Sequence, residues 1–367
     1  MPAEPPTAAA RQGEATLQKP TKAARRKGMA VTLDEVAALA KVSPMTVSRV
    51  VNGHGKVRDT TRDRVMRAVR ELGYTPNLAA SALATAQDTR VALIYTNPSS
   101  AYLRELLVGA LRGATRTAAQ LVIDTWDTLG ANAQRQAART LAKRVAGVIL
   151  PPPLCESKGV IAEFIDADVP VVAIASGRFN HDISCVRIDD FRASKEITTH
   201  LVAAGHQRIG YIKGHPNQTA SVRRFEGFQA ALAEAGLPLD ETLVESGYFT
   251  YRSGLEAAEK LLAHPAPPTA IFASNDDMAA AVVSVAHRRH LEVPQDLSVV
   301  GFDDTSAATT VWPELTTIRQ PIAAMADSAV DILLRSIRRK DRSTRMLVDH
   351  VIPHQLVKRD SVARPAR

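Results

Sequence analysis

The first pattern along the chain is a set of three short amphipathic helices between residues 32 and 72. Thr32 and Glu35 fit a capping box, in which each side chain hydrogen-bonds the other residue's backbone amide. Ser43 suits the cap of the second helix, with Pro44 at its first position, where a missing N–H costs nothing. The apolar residues recur at helical spacing: Leu33, Val36, Ala37 and Ala40, then Val47 and Val50, then Val65, Ala68, Val69 and Leu72. Two short helices, a tight turn and a shared apolar corner predict a helix-turn-helix, and Gly73 suits the end of the third helix.

From residue 90 onwards, short apolar runs alternate with longer amphipathic stretches such as residues 102–119 and 192–204. The candidate strands are residues 91–96, 120–125, 146–150, 170–175, 184–188, 208–213, 242–247, 269–274, 298–302 and 315–319. Strands alternating with helices predict parallel sheets covered on both faces, and their number favours two lobes over one sheet. Ligands of such sheets bind at the carboxyl ends of strands, so the polar residues that follow strands are candidates.

The segments on either side of the helix-turn-helix have a different composition. Residues 1–30 are rich in Ala, Pro, Thr and basic residues, so we expect a disordered basic tail. It is either a plain solvated tail or an arm that adds phosphate attraction. Asn77 begins a short Ala-rich stretch that is too short to be a stable helix alone. We expect it to be a hinge that needs DNA or a second copy, which gives a helix-turn-helix domain at 31–76 and a hinge helix with linker at 77–89.

The net charge of +8 is concentrated near the N-terminus of this 367-residue chain. Residues 1–90 hold 15 Lys and Arg against 8 Asp and Glu, whereas the rest holds 31 against 30. A basic module joined to a neutral one favours a nucleic-acid partner. Cys155 and Cys185 show no metal or disulfide spacing, and no apolar run or leader predicts a membrane or secreted protein. We expect a cytoplasmic protein, nucleoid-associated when bound, with no metal, cofactor or catalytic residues.

An ordered set of motifs resembles the lactose-repressor (LacI/GalR) family over about residues 31–360. The motifs are residues 32–52 (from Thr-Leu-Asp-Glu-Val to Ser-Arg-Val-Val-Asn), 72–77 (Leu-Gly-Tyr-Thr-Pro-Asn), 205–210 (Gly-His-Gln-Arg-Ile-Gly), 274–278 (Ser-Asn-Asp-Asp-Met), 298–304 (Ser-Val-Val-Gly-Phe-Asp-Asp), 315–320 (Leu-Thr-Thr-Ile-Arg-Gln) and 356–359 (Leu-Val-Lys-Arg). The resemblance implies an all-α helix-turn-helix headpiece followed by an α/β two-lobed, periplasmic-binding-protein-like regulatory domain. It further implies a homodimeric repressor of near-palindromic double-stranded operator DNA.

The same resemblance implies how the second domain is organised and controlled. An effector-binding and dimerisation domain would span residues 90–362, with lobe 1 at about 90–188 and 321–347, lobe 2 at about 189–318 and 348–362, and a tail at 363–367. A small-molecule effector, most consistent with a sugar or sugar derivative of carbohydrate catabolism, would close the lobes and melt the hinge helices. The alternative is a regulator that needs a purine or other non-sugar corepressor, and the sequence leaves induction and corepression open.

Residues for DNA binding follow from the resemblance. Pro44 and Met45 would read bases by apolar contact, while Arg49 suits a forked contact with guanine. Phosphate-anchoring positions are Thr32, Ser43, Thr46, Ser48, Asn52 and Lys56, although capping is the alternative for each Ser or Thr. In the hinge, Asn77 and Leu83 are further candidates, with Leu83 either wedging into the minor groove or packing in a dimer. Ser81 stands where many relatives have Arg.

Residues for effector binding also follow from the resemblance: Ser176, Arg224, Phe249, Asn275, Asp303 and Gln320. Polar groups beside an aromatic ring suit a polyol, whose hydroxyls both donate and accept while the ring covers its apolar face. The alternative is that Asn275 and Asp276 cap a helix and that Asp303 and Asp304 cap a turn, which we favour for Asp276 and Asp304. Ala175 stands where sugar-binding relatives often have Asp, and residues 151–153 are prolines, so the pocket differs from that of the lactose repressor.

Overall fold

The computed structural model describes residues 31–51, 57–74, 89–96, 99–339 and 346–365. The chain divides into two compact units, residues 1–81 and 82–367. The first is all-helical in its described part, and the second is built of parallel sheets covered by helices. None of the described helices is long and apolar enough to cross a membrane.

The first unit contains the three predicted helices: α1 (Leu33–Ala40), α2 (Pro44–Val51) and α3 (Asp59–Leu72). The capping box is present, since Glu35 N donates to Thr32 Oγ1 at 3.4 Å and Thr32 N donates to Glu35 Oε2 at 2.7 Å. Ser43 Oγ accepts from Thr46 N at 3.3 Å at the start of α2. Gly73 follows α3 with a left-handed φ of 62°, a conformation that glycine adopts without steric cost. These local predictions are confirmed.

The core of the first unit is formed by the predicted inner faces. Its buried residues are Val36, Ala37, Ala40, Val47, Val50, Val65 and Ala68, with Leu33, Val69 and Leu72 half-buried around them. Val36, Val47 and Val65, one from each helix, have no exposed surface. Small and branched side chains where the three short helices meet let them pack closely. This packing determines which side of α2 faces the solvent.

Lobe 1 of the second unit is a six-stranded parallel sheet in the order β11-β5-β4-β3-β1-β2. Its strands are β1 (Arg90–Tyr95), β2 (Gln120–Thr125), β3 (Gly147–Leu150), β4 (Val171–Ile174), β5 (Ser184–Arg187) and β11 (Asp349–Val351). Its helices are α4 (Ser100–Thr117), α5 (Ala131–Ala142), α6 (Lys158–Asp166) and α12 (Ile322–Arg338). Val91 and Leu93 join one buried cluster while Ala92 and Ile94 join another, so successive residues of β1 feed opposite faces of the sheet.

Lobe 2 is a four-stranded parallel sheet in the order β7-β6-β8-β9, together with an antiparallel pair, β10-β12. Its strands are β6 (Ile209–Lys213), β7 (Val244–Ser246), β8 (Ala270–Ala273), β9 (Ser298–Val300), β10 (Thr317–Arg319) and β12 (Gln355–Val357). Its helices are α7 (Asp190–Ala203), α8 (Thr219–Glu234), α9 (Tyr251–Leu262), α10 (Asp276–Arg288) and α11 (Ser306–Thr310). The chain passes between the lobes after β5, after β10 and after β11.

Two predicted boundaries need correction. The family resemblance places residues 348–351 in lobe 2, but β11 pairs in parallel with β5 of lobe 1, with Asp349 opposite Cys185. The predicted tail includes residues 363–365, yet Ala363 O accepts from His206 Nε2 at 2.9 Å and Pro365 approaches Gly205. Both segments are short, and neither has the apolar alternation that identifies a strand from sequence.

Candidate functional site

The outer side of α2 is the candidate for contact with DNA. Met45 is 64% exposed, and Ser43, Pro44 and Arg49 are also exposed, whereas Val47 and Val50 on the other side are buried. Thr46 and Ser48 are half-buried. A short helix with one apolar side anchored and one polar side open suits insertion into the major groove.

The hydroxyls predicted to anchor phosphates also cap helices. Thr32 Oγ1 caps α1, and Ser43 Oγ lies 2.9 Å from Thr46 Oγ1 besides accepting from the Thr46 amide. A hydroxyl has one donor and two acceptor sites, so a capping role leaves Ser43 able to meet a phosphate. Four further DNA-binding predictions, Asn52, Lys56, Asn77 and Leu83, lie outside the described residues.

A small buried cavity lies between the lobes of the second unit, at the carboxyl ends of the strands. Its volume is about 30 Å³. It is lined by Ser99, Tyr102, Pro152, Ala175, Gln218, Ala220, Arg224, Phe249, Asn275, Asp303 and Gln320. Five of the six predicted effector residues are therefore brought together, namely Arg224, Phe249, Asn275, Asp303 and Gln320.

Arg224 is the electrostatic centre of this cavity. It is 4% exposed, and its Nε donates to Asp190 Oδ1 at 2.8 Å while its Nη1 donates to Ser274 O at 2.6 Å. Asp303 Oδ1 lies 3.7 Å from the same Nη1, and the guanidinium carbon lies 3.7 Å from the centre of the Phe302 ring. One buried cation is thus surrounded by two carboxylates and covered by an aromatic face.

Asp190 is a part of this site that the sequence reasoning missed. It is 3% exposed and begins α7 shortly after β5. Burial raises the pKa of its carboxyl, and the Arg224 guanidinium opposes that shift. A signal was available, because an acidic residue just after a strand meets the criterion that selected Asp303.

Asp303 and Gln320 form a second buried pair. Gln320 Nε2 donates to Asp303 Oδ1 at 2.5 Å, and the two residues are 3% and 6% exposed, with Gln320 the more buried. Burial raises the pKa of Asp303 to about 7, while Arg224 and the Gln320 hydrogen bond oppose the shift. This carboxyl therefore changes charge near neutral pH, inside the cavity.

Two buried polar atoms of the cavity have no hydrogen-bond partner in the described part of the chain: Tyr102 Oη and Gln320 Oε1. Burial raises the pKa of the Tyr102 hydroxyl, so it stays protonated and able to donate. A buried polar group without a partner costs free energy, and such groups call for a ligand or water. A donor and an acceptor in one cavity match a ligand that carries hydroxyl groups.

The backbone is left-handed at three of the lining residues, each of which closely follows a strand. The φ values are 55° at Ala175, 60° at Phe249 and 114° at Asp303. Non-glycine residues rarely adopt this conformation, and such strain concentrates at functional sites. The Phe249 ring also lies against Gly214, where an added Cβ would be 2.0 Å from the ring.

Several predicted roles change in the structure. Ser176 does not line the cavity, because its hydroxyl donates to Arg178 O at 2.8 Å. Asp276 does not cap α10, since its carboxylate accepts from Thr305 N and Thr317 Oγ1. Asp304 does not act as the predicted turn cap, because its carboxylate forms ion pairs with two arginines, Arg319 and Arg359.

Asn275 combines both roles considered for it. Its Oδ1 accepts from Met278 N at 3.0 Å and so caps α10, and its Nδ2 donates to Phe249 O at 3.0 Å. It also lines the cavity. The side chain thereby ties the start of α10 to the residue that carries the aromatic ring.

The lobes are joined beside the cavity by one carboxylate. Glu156 of lobe 1 accepts from the backbone amide of Thr219, the first residue of α8, at 2.9 Å and from its Oγ1 at 2.6 Å. The Gly177 amide donates to the same Oγ1 at 3.0 Å, and a Cβ at Gly177 would lie 2.4 Å from the Ala220 amide. Lobe 1 therefore caps the helix that carries Arg224.

The two units match two family models. The model of the lacI family of bacterial regulatory proteins matches residues 32–77, and that of the periplasmic binding protein-like domain matches residues 198–362. The HTH-type transcriptional regulator DegA of Bacillus subtilis (strain 168) is 35% identical over 337 residues, which are 91% of this chain and 99% of DegA. The catabolite control protein A of Priestia megaterium is 34% identical over 338 residues, again 91% and 99%.

Solved structures agree with these matches. The transcriptional regulator CelR in complex with cellobiose is 32% identical, with a TM-score of 0.68, and the match covers 90% of this chain and 99% of that one. The lac repressor dimer bound to operator and the anti-inducer ONPF is 28% identical, with a TM-score of 0.66, covering 91% and 100%. With a helix-turn-helix unit and a two-lobed unit of this kind, the chain belongs to the lacI family of bacterial regulatory proteins and is a DNA-binding transcriptional repressor.

Proposed function

We propose that a neutral carbohydrate, bound in the cavity between the lobes, controls the grip of this repressor on a near-palindromic operator. The observation that carries the proposal is the charge arrangement at Arg224. Its guanidinium is already matched by Asp190 at 2.8 Å and faces Asp303 at 3.7 Å. A phosphate or carboxylate ligand would meet Asp190, the ionised fraction of Asp303 and no uncommitted cation among the described lining residues, so a neutral ligand is favoured.

The remaining lining groups suit a polyol. Tyr102 Oη donates, Gln320 Oε1 accepts, and Asp303 accepts in its ionised form, which matches hydroxyls that do both. Phe249 supplies an apolar ring for the carbon face of a sugar. Among the relatives, CelR was solved with cellobiose, and the ribose operon repressor of Escherichia coli (strain K12) is 31% identical over 311 residues. We therefore propose a sugar and not a purine corepressor.

The proposed control rests on contacts that join the lobes. The cavity residues come from both lobes, so a bound sugar holds the lobes together in the way that Glu156 and Thr219 already do. A ligand shifts an equilibrium only by its differential affinity for the two states. We propose that the closed, sugar-bound state of a homodimer releases the operator, through the hinge residues Asn77 and Leu83, which lie outside the described residues.

On the DNA side, we propose that α2 reads bases through Pro44, Met45 and Arg49, while Thr32, Ser43, Thr46 and Ser48 anchor phosphates. The assignment is supported by exposed side chains on one side of α2 and at the helix starts, with Thr46 and Ser48 half-buried beside them; the exposed residues are Thr32, Ser43, Pro44, Met45 and Arg49. Asn52 and Lys56 are proposed as further phosphate anchors. As a DNA-binding regulator whose relatives are named as regulators, the protein would act at the nucleoid in the cytoplasm and catalyse no reaction itself.

A ligand panel with a DNA readout tests the proposal. An operator is first selected from random duplex DNA with the full-length protein. Thermal shift is then measured with neutral sugars, sugar phosphates, sugar acids and purines, and each hit is titrated into the protein–operator complex. We expect hits only among neutral sugars and release of the operator by them. Hits confined to phosphates, acids or purines would overturn the proposal.

A further inference from the structure

A second, larger cavity adjoins the buried one on its solvent side. Its volume is about 660 Å³, compared with about 30 Å³ for the inner cavity. Gln218 lines both, and the neighbouring prolines Pro152 and Pro153 line the inner and the outer cavity respectively. The two spaces therefore form one cleft that is narrow and polar at its base and wide at its mouth.

The two volumes restrict the shape of the ligand. One water molecule needs about 10–15 Å³ of cavity volume measured in this way, and small-molecule sites measure about 300–1,000 Å³. The inner cavity thus accepts only one hydroxyl-bearing end of a sugar, whereas the outer cavity has the size of a complete ligand site. A ligand that contacts Arg224 and Asp303 in the inner cavity must therefore have most of its volume in the outer cavity.

The mouth carries aromatic rings from both lobes. Tyr95 lies at the end of β1 in lobe 1, while His215 and Tyr248 follow β6 and β7 in lobe 2. The His215 and Tyr248 rings meet edge to face with centroids 5.6 Å apart, yet Tyr248 remains 50% exposed. An exposed aromatic ring held in place by a neighbour offers a flat apolar surface at little entropic cost.

Polar groups stand around these rings. Thr96 Oγ1 is buried and has no hydrogen-bond partner among the described residues, and Asp127 lines the same side. His215 Nδ1 accepts from Asn217 N at 3.1 Å, which leaves Nε2 as the ring nitrogen that can donate. The outer cavity therefore combines aromatic rings with hydrogen-bond donors and acceptors, as the inner cavity does.

We infer that the effector is a neutral oligosaccharide of at least two sugar units. One end contacts the inner polar groups, and the next ring lies in the outer cavity against Tyr248. This inference rests on the proposed function, which it narrows from a sugar to a chain of sugars. Tyr248 then selects for length, because it contacts the second ring, which a single hexose lacks.

Isothermal titration of the full-length protein tests the inference. The probes are neutral disaccharides such as cellobiose, maltose, lactose and sucrose, each compared with its constituent hexoses. We expect one disaccharide to bind at least about tenfold more tightly than either of its hexoses, which is the effect of one added ring contact. Tyr248→Ala should remove about that tenfold advantage while the hexose affinity changes less than about twofold.

Tyr251→Ala is the matched control. Tyr251 is 44% exposed on α9, three positions along the chain, and its hydroxyl hydrogen-bonds Ser284 rather than lining the cleft. Its loss should leave both affinities unchanged. Equal affinity for hexose and disaccharide, or equal losses for both in Tyr248→Ala, would overturn the length inference while leaving sugar control intact. Binding of no neutral sugar at all would overturn the proposed function itself.

Discussion

Replacing Arg224 by Gln tests the charge arrangement of the cleft most severely. The guanidinium and Asp190 are 4% and 3% exposed and are joined at 2.8 Å, so the variant leaves a buried carboxylate without its cation. Removing one partner of a buried ion pair costs about 3–5 kcal/mol. Burial already raises the pKa of Asp190, so this carboxyl takes up a proton in the variant and the loss falls near the lower end of that range.

A double-mutant cycle separates the pair from the rest of the site. Asp190→Asn should cost less than Arg224→Gln, because Arg224 keeps its bond to Ser274 O and its approach to Asp303. The double variant carries two neutral amides, so its loss should be smaller than the sum of the two single losses, with a coupling of about 1–3 kcal/mol. All three variants should lose the sugar response, since each removes the ion pair between Arg224 and Asp190 that orders the base of the cavity.

Urea unfolding followed by circular dichroism gives the free energies, and operator binding shows whether the headpiece survives. Arg178→Gln is a control, because its ion pair with Glu226 lies at the surface, with 62% and 33% of the side chains exposed, and should contribute little. Strict additivity in the cycle, or a loss for Arg224→Gln no larger than the control's, would refute the description of a buried and charge-matched pair.

Other outcomes follow from single positions. Gly214→Ala places a Cβ 2.0 Å from the Phe249 ring, so sugar affinity should fall about tenfold in titration calorimetry; Gly130→Ala, whose Cβ meets nothing within 4 Å, should not change it. Because Asp303 has a pKa of about 7 and is a stronger acceptor for sugar hydroxyls when ionised, sugar affinity should rise up to about tenfold between pH 6 and 8. A sugar affinity that does not change with pH would refute the role of Asp303 as a hydroxyl acceptor. Without ligand, the raised pKa of Asp303 makes the free energy of unfolding decline as pH rises between about 4 and 7. Arg49→Ala should relax one base position per half-site by about 1–3 kcal/mol, and uniform weakening on all sequences would argue against base reading.

Local patterns in the sequence predicted the helical unit well. The capping box at Thr32, the inward positions of Val47 and Val50 and the stop at Gly73 each depend on residues within one or two turns. The strands of the sheets were found because buried parallel strands are short apolar runs. By contrast, β11 and β12 were missed because β11 is exposed along its length and β12 is exposed or half-buried, so neither is a buried apolar run.

The sequence predicted most of the polar residues of the cleft, but it did not predict how they pair or which backbone conformations they adopt. Arg224 and Asp303 carry a recognisable motif, whereas the pairing of Arg224 with Asp190 joins residues that lie 34 positions apart. The left-handed backbone at Ala175 and Phe249 could not be predicted from the sequence, because neither residue is a glycine. Ser176 follows a strand as a ligand residue should, but the turn at Ala175 directs its hydroxyl to Arg178 O instead. Such features depend on tertiary contacts that no local pattern encodes.

The coupling between the cleft and the operator can be measured directly. Fluorescence anisotropy of labelled operator is followed with the full-length repressor while the sugar that binds most tightly in calorimetry is titrated in. We predict that saturating sugar weakens operator binding by about 5–150-fold, and that operator weakens sugar binding by the same factor, as linkage requires. A sugar that occupies the cleft while the operator affinity stays constant would contradict control by the cleft.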